Sequence, residues 1–174
     1  MALNDDMALL GAVPLFKGMD REQLRLIAFG AEHRRVGSGE VLFQERAPAE
    51  CAYIIGRGKV ELSVVGRDGQ RRVVQEAGVG TMLSELALMT MVERKFTATA
   101  LEEIDVIRIT RSMFHRLIEE YPEMARVVES HGGRLRFRDR AGGGLLAEVS
   151  LPVARMPRRA GPSSSRFMPS SNAS

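Results

Sequence analysis

The stretch Gly78-Val79-Gly80-Thr81-Met82-Leu83-Ser84-Glu85-Leu86-Ala87-Leu88 runs from a glycine-containing approach into residues that favour a short helix. A helix start of this kind presents unpaired backbone N–H groups, which suit a single phosphate. Arg94 follows nine residues after Glu85, and Thr97 comes shortly after it. A guanidinium pairs with a phosphate through two parallel hydrogen bonds, and a carboxylate accepts from ribose hydroxyls. Glu85 and Arg94 together suit a nucleotide with one phosphodiester charge, that is, a cyclic nucleotide. The competing reading of the same two residues is a structural ion pair or two solvated charges. Leu86, Ala87 and Leu88 face the core in either case, and Thr97 reads equally well as part of an ordinary strand, 97–100.

Other chemistries find no support. The chain has no Gly-x-Ser-x-Gly elbow, no Walker glycine loop and no His-Glu-x-x-His. His33, His115 and His131 are scattered, without the i, i+4 spacing of a metal site. Cys51 is the single cysteine, so it excludes an internal disulfide, and it reads as a buried, inert thiol. No enzyme activity, metal or cofactor is expected of this chain.

The elements around the candidate segment fall into three zones. Leu24, Ile27, Ala28 and Ala31 lie at i, i+3, i+4 and i+7, which predicts a short helix with Asp20 as its N-cap. From Val36 to Ile109 come short β-branched runs punctuated by glycine, the texture of an antiparallel barrel or sandwich. Val60, Leu62 and Val64 alternate with Glu61 and Ser63, and Gly66-Arg67-Asp68-Gly69 supplies the turn of a hairpin. Beyond Ile109, Phe114, Leu117, Ile118 and Tyr121 restore the helical period, with Thr110 or Ser112 as cap. Pro122 ends or kinks that helix, and residues 123–131 form another until Gly132-Gly133 breaks it.

The order of these landmarks resembles the cyclic-nucleotide-binding domain family, which includes the catabolite activator proteins and the regulatory subunits of cAMP-dependent protein kinase. The resemblance runs from about Leu15 to Tyr121. Ser84-Glu85-Leu86-Ala87-Leu88 is similar to the family's phosphate-binding cassette, Gly-Glu-Leu-Ala-Leu, and Arg94 with Thr97 falls at the spacing of Pro-Arg-x-Ala-Thr. Leu15-Phe16-Lys17-Gly18, Gly39-Glu40-Val41-Leu42-Phe43, Tyr53-Ile54-Ile55 and Gly58-Lys59-Val60 match the upstream landmarks. The resemblance implies a mainly β fold, an eight-stranded antiparallel jelly-roll barrel flanked by helices. It also implies a ligand site of Leu83, Ser84, Glu85, Leu86, Ala87, Arg94 and Thr97 for cAMP or cGMP. Glu85 would bind the ribose 2′-hydroxyl, Arg94 the cyclic phosphate, and the amides around Leu86 and Ala87 the phosphate oxygens.

Four departures from the family pattern bear on binding or fold detail. Ser84 stands where glycine is usual, which predicts weakened binding, since serine accepts neither close approach nor unusual φ as easily. Glu93 replaces the proline before the arginine and competes for it. Lys95 and Phe96 replace small residues, so the sequence indicates no preference between bases. Arg46 and Ala47 stand in an earlier turn where Gly and Asp are common. The alternative reading is a degenerate, nucleotide-free barrel that acts as a protein-interaction module.

The chain carries 25 Lys+Arg and 22 Asp+Glu, a net charge of +3. Residues 131–174 hold 8 of the basic and 2 of the acidic residues, leaving 17 and 20, a net of −3, for residues 1–130. The high pI therefore describes the end of the chain and argues nothing for a DNA-binding body. From Ala141 on, 4 Gly, 4 Pro and 7 Ser make up 15 of 34 residues, a composition that predicts disorder with at most a transient turn at 145–149. The expected organisation is a binding domain over residues 1–140 and a Gly/Pro/Ser/Arg tail over 141–174. No apolar run reaches the roughly 18 residues of a membrane span, and neither a signal peptide nor a helix-turn-helix is legible. A cytoplasmic sensor is expected, with an effector protein as partner and a homodimer seam along the helix after the barrel.

Overall fold

The computed structural model describes residues 2–131, 134–139 and 145–150. Helix α1 (Leu3–Ala12) precedes α2 (Arg21–Gly30). Asp20 caps α2 as expected, accepting from the Gln23 amide at 2.8 Å, while the Gln23 side chain accepts from the Asp20 amide at 3.0 Å. The two bonds satisfy two orphan donors at once, so the entry to this helix is fixed locally.

Eight strands form two four-stranded antiparallel sheets. The first, in the order β1 (Glu32–Val36), β10 (Ile104–Thr110), β4 (Cys51–Arg57) and β7 (Met82–Leu83), lies against the helices. The second runs β2 (Val41–Phe43), β9 (Thr97–Ala100), β5 (Val60–Val65) and β6 (Arg71–Ala77). A short pair, β3 (Pro48–Ala49) with β8 (Val92–Glu93), spans one end. The fold class is the one expected, in jelly-roll form, but among the described residues no ladder joins the sheets into a closed barrel. Side-chain packing between them replaces the missing edge bonds. The predicted hairpin is β5–β6, where Gly69 takes φ 76° and its amide donates to Gly66 O at 3.0 Å.

The alternation of β4 and β10 divides the interior in two. Ala52, Ile54, Ile107 and Ile109 face the helices, packing with Leu10, Phe16, Ile27, Phe114 and Ile118. Cys51, Tyr53, Ile55, Ile104 and Val106 face the second sheet, together with Leu42, Leu62, Leu83 and Ala98. The central strands β4 and β10 are thus covered on both faces, while the edge strand β1 is largely exposed, which explains why β4 reads as a continuous apolar run rather than an alternating one. On the second sheet, by contrast, Val73 and Val74 of β6 are exposed.

Helix α3 (Arg111–Glu120) is capped by Thr110, whose hydroxyl accepts from the Met113 amide at 3.3 Å. Helix α4 (Pro122–His131) begins at Pro122, where a missing N–H costs nothing. The expected break at Gly132-Gly133 lies outside the described residues. Leu145–Ser150 (β12), expected at most as a transient turn, instead pairs antiparallel with Arg134–Asp139 (β11). The rest of the tail lies outside the described residues.

Replacing Asp20 by Ala removes the capping box of α2 and should lower unfolding free energy by about 1 kcal/mol in urea titrations; an unchanged midpoint would show that core packing alone sets this helix.

Candidate functional site

The approach to the candidate segment turns at Gly80, whose φ of 87° suits glycine alone. Its amide donates to Ile55 O at 2.8 Å, and the Ile55 amide donates to Thr81 O at 3.0 Å. These bonds deliver β7 onto the edge of the first sheet, opposite Tyr53 and Ile54. Ser84 then takes the left-handed conformation, φ 61° and ψ 45°, and starts a short 3-10 turn over Glu85–Leu88. The amide of Ala87 closes this turn on Ser84 O at 3.0 Å.

Leu83, Ser84, Glu85 and Leu86 border a cavity of about 310 Å³ between the cassette and the second sheet. Phe43 and Phe96 add aromatic walls, and Gln75, Glu93 and Lys95 add polar groups. Glu85 is exposed. Ala87 is fully buried below the cavity. Thr97 stands away from it: its hydroxyl accepts from the Glu45 amide at 3.0 Å and so ties β9 to the turn after β2.

Arg94 is not on the cavity wall, although its neighbours Glu93 and Lys95 are. Its side chain turns inward and is 5% exposed. The guanidinium lies over the rings of Phe43 and Tyr53, 4.4 and 5.4 Å from their centroids, and Nη2 donates to Cys51 Sγ at 3.2 Å. Nη1 is buried with no hydrogen-bond partner. No carboxylate pairs with Arg94 among the described residues, so the expected competition from Glu93 is not realised as an ion pair. The ring faces offset part of the charge. A buried guanidinium with a free donor nevertheless remains costly until an anion reaches it.

The backbone of Arg94 is clamped at both atoms. Its amide donates to Ala47 O at 2.8 Å, and its carbonyl accepts from the Arg46 amide at 2.8 Å. Arg46 makes that turn with φ 67°. Arg46 and Ser84 are the two non-glycine residues with positive φ among those described, and both stand where the family pattern has glycine. The left-handed backbone has therefore been kept while the residue that accepts it freely has been lost.

Three positions beside the cassette or Arg94 were not read from the sequence as part of the site. Arg111, the first residue of α3, directs Nη1 at three carbonyls: Ala49 O at 3.1 Å, Ala87 O at 3.2 Å and Thr90 O at 3.1 Å. It ties the end of the cassette turn to the helix after the sheets. A cation at a helix N-terminus opposes the macrodipole, and that mismatch was the signal available in the sequence. His115, one turn further on, is also directed at the cassette. Burial lowers its pKa, opposed by contact with the Leu88 carbonyl and reinforced by the Arg111 charge. The third position is Cys51, whose contact with Arg94 joins residues 43 apart in the chain. No spacing rule reaches that far.

The family model for the cyclic nucleotide-binding domain matches residues 33–121, and the chain belongs to that family. Its domain is a binding and regulatory module. A cyclic nucleotide-binding-like protein of Brucella abortus is 44% identical, with a TM-score of 0.62 over 66% of this chain and 98% of that one. The cyclic AMP receptor protein of Thermus thermophilus is 28% identical over 112 residues, 64% of this chain and 52% of that protein. A lysophospholipase of Neurospora crassa is 33% identical over 98 residues, 56% of this chain but 6% of that enzyme. The chain thus spans a small fraction of the enzyme and about half of the receptor. No helix among the described residues is long and apolar enough to cross a membrane.

Glycine at either left-handed position should relieve strain of about 1 kcal/mol. Ser84→Gly and Arg46→Gly are each expected to raise the urea midpoint, and a fall in either would show that the lost side chain outweighs the backbone. A second expectation concerns acid. Because the folded-state pKa of His115 is depressed, the unfolded chain binds the proton first, so stability falls as pH drops below about 6.5. Chemical denaturation at about pH 7.5 and about pH 5.5 should show a loss in the wild type that is smaller in His115→Gln; equal losses would assign the effect elsewhere.

Proposed function

We propose that this domain is a sensor for a 3′,5′-cyclic nucleotide, cAMP or cGMP, held in the cavity beside Ser84–Leu86. The observation that carries this reading is the buried guanidinium of Arg94, which among the described residues has no carboxylate partner and leaves Nη1 unpartnered, next to a cavity of about 310 Å³. A phosphodiester is the anion such a group lacks. In this reading the guanidinium leaves the Phe43 and Tyr53 rings and meets the phosphate where the cassette turns at Ser84. Glu85, exposed beside the cavity, accepts from the ribose 2′-hydroxyl. Lys95 adds a second cation at the wall, and Phe43 and Phe96 offer faces for the base. Thr97 acts through the Glu45 amide, as a support for β9, rather than through ligand contact.

The likeness to a protein named as a cyclic AMP receptor supports the same ligand class. Signal output passes through Arg111, since a cassette drawn toward the phosphate pulls on the three carbonyls that this side chain holds. Helices α3 and α4 then shift, and their far end serves as the seam for an effector protein or a second copy. The domain itself does no chemistry in this reading, and its ligand is a signal rather than a cofactor.

One observation favours the nucleotide-free alternative: the guanidinium already has rings and a sulfur as neighbours. Titration calorimetry with cAMP and cGMP separates the two. Wild-type protein is expected to bind one of them. Arg94→Ala should lose about 2–5 kcal/mol of binding, and Glu85→Gln should lose about 1.5–3 kcal/mol, the usual contribution of a hydrogen bond to a charged group. No heat and no rise in melting temperature with either nucleotide at millimolar concentration would leave the interaction module as the function.

A further inference from the structure

The following inference rests on the reading of Arg94 as the phosphate ligand. Cys51, the first residue of β4 and the only cysteine of the chain, is 3% exposed. Its sulfur accepts from Arg94 Nη2 at 3.2 Å. Tyr53 and the guanidinium of Arg108 also lie within interaction range of that sulfur. Arg108 additionally donates to Glu32 at 2.8 Å, whereas Arg94 has no carboxylate among the described residues and leaves Nη1 unpartnered.

We propose that Cys51 is an oxidation-sensitive thiol that competes with the nucleotide phosphate for the Arg94 guanidinium. Two observations support this independently of each other. The first is the placement of two guanidinium groups about one sulfur, with Arg94 Nη2 at 3.2 Å. The second is the Nη1 donor of Arg94, buried and without a hydrogen-bond partner among the described residues. An oxygen added to the sulfur would fill that vacancy.

The co-reactant is a hydroperoxide. The thiolate attacks one peroxide oxygen, an S–O bond forms, and the O–O bond breaks with its electron pair leaving as hydroxide. Sulfur is oxidised by two electrons and the peroxide is reduced: R–S⁻ + HOOH gives R–SOH + HO⁻. The sulfenate then takes a second oxygen from a second peroxide, R–SO⁻ + HOOH giving R–SO₂⁻ + H₂O. A sulfinate carries two oxygens on one centre and pairs with a guanidinium as a carboxylate does, through two parallel hydrogen bonds. That pair holds Arg94 in the core and withholds it from the cavity.

Access follows from Phe43, which lines the cavity and also carries the Arg94 guanidinium on its face. In this proposal peroxide reaches the buried sulfur past Phe43, while Arg94 is displaced from that ring. A nucleotide in the cavity blocks the same route. Oxidation and nucleotide are therefore mutually exclusive claims on one side chain.

The test uses the full chain as wild type, Cys51→Ser, Arg94→Gln and Arg94→Lys, each checked for folding by circular dichroism. Protein is treated with hydrogen peroxide, the mass of the Cys51 peptide is followed, and the product is titrated with cAMP. Wild-type Cys51 is expected to gain two oxygens, more slowly with cAMP bound, and the oxidised protein should bind cAMP at least about tenfold more weakly. Cys51→Ser should show no loss on the same treatment. Arg94→Gln should oxidise more slowly than wild type, and Arg94→Lys, which keeps the charge, at a rate between the two. An oxidised wild type that binds cAMP as before overturns the competition. Equal oxidation rates in wild type and Arg94→Gln overturn the inference whether or not nucleotide binds; should Arg94→Gln fail to fold, Arg94→Lys and Cys51→Ser decide it. A reduced wild type that takes up no nucleotide overturns the functional reading instead, and the oxidation rates still report on Cys51 by itself.

Discussion

A cation held inside the sandwich with no carboxylate partner among the described residues is the constraint on which the site depends. Arg94 reaches the interior because its backbone is gripped on both sides by the turn at Arg46 and Ala47. Its charge is tolerated there through two aromatic faces and a sulfur. Removing any charge from water is expensive, and partial compensation of this kind leaves free energy to be gained when an anion arrives. The arrangement suits a switch: a fully satisfied guanidinium would have no reason to move, and a fully exposed one would have nothing to transmit.

The path from this site outward is short. The cassette turn rests on Arg111 of α3, which collects carbonyls from β3, from the turn itself and from the residues after it. One side chain thus joins the cassette turn, the short strand pair and the helical layer. His115 reinforces the same contact one helical turn later. The central strands of the first sheet, β4 and β10, are packed on both faces and form the floor shared by the cassette and the helices.

Strain is stored at Ser84 and Arg46, the two left-handed residues that are not glycine. Each lies at a corner that fixes where Arg94 or the cassette amides end up. A left-handed serine costs about 1–2 kcal/mol relative to an unstrained residue, and the fold bears that cost because bonds to Ile55, Ala47 and Arg94 determine the path of the chain on either side. The departures from the family pattern read in the sequence are thus departures in residue type, while the backbone they were expected to disturb is retained.

Much of the fold was legible in residue order because its causes are local. The Asp20 cap, the β5–β6 hairpin turn, the Thr110 cap and the break between α3 and α4 at Pro122 each depend on contacts a few residues apart, and each stands where the spacing indicated. The cassette was legible for the same reason, since Gly80 to Leu88 is one continuous turn. Helix α1 was not foreseen, because its inward stripe of Leu3, Asp6, Met7 and Leu10 includes an aspartate, buried through its pairing with His33 of β1. The pairing of Leu145–Ser150 with Arg134–Asp139 was not foreseen either, since composition describes a tendency and a ladder needs a partner strand. Sequence alone determined the family, the two-sheet class and the segment that faces the cavity. Only the tertiary structure decided where the Arg94 charge goes, that Cys51 meets it and that Arg111 holds the cassette, because those contacts join residues brought together by sheet packing across 21 to 62 positions of chain.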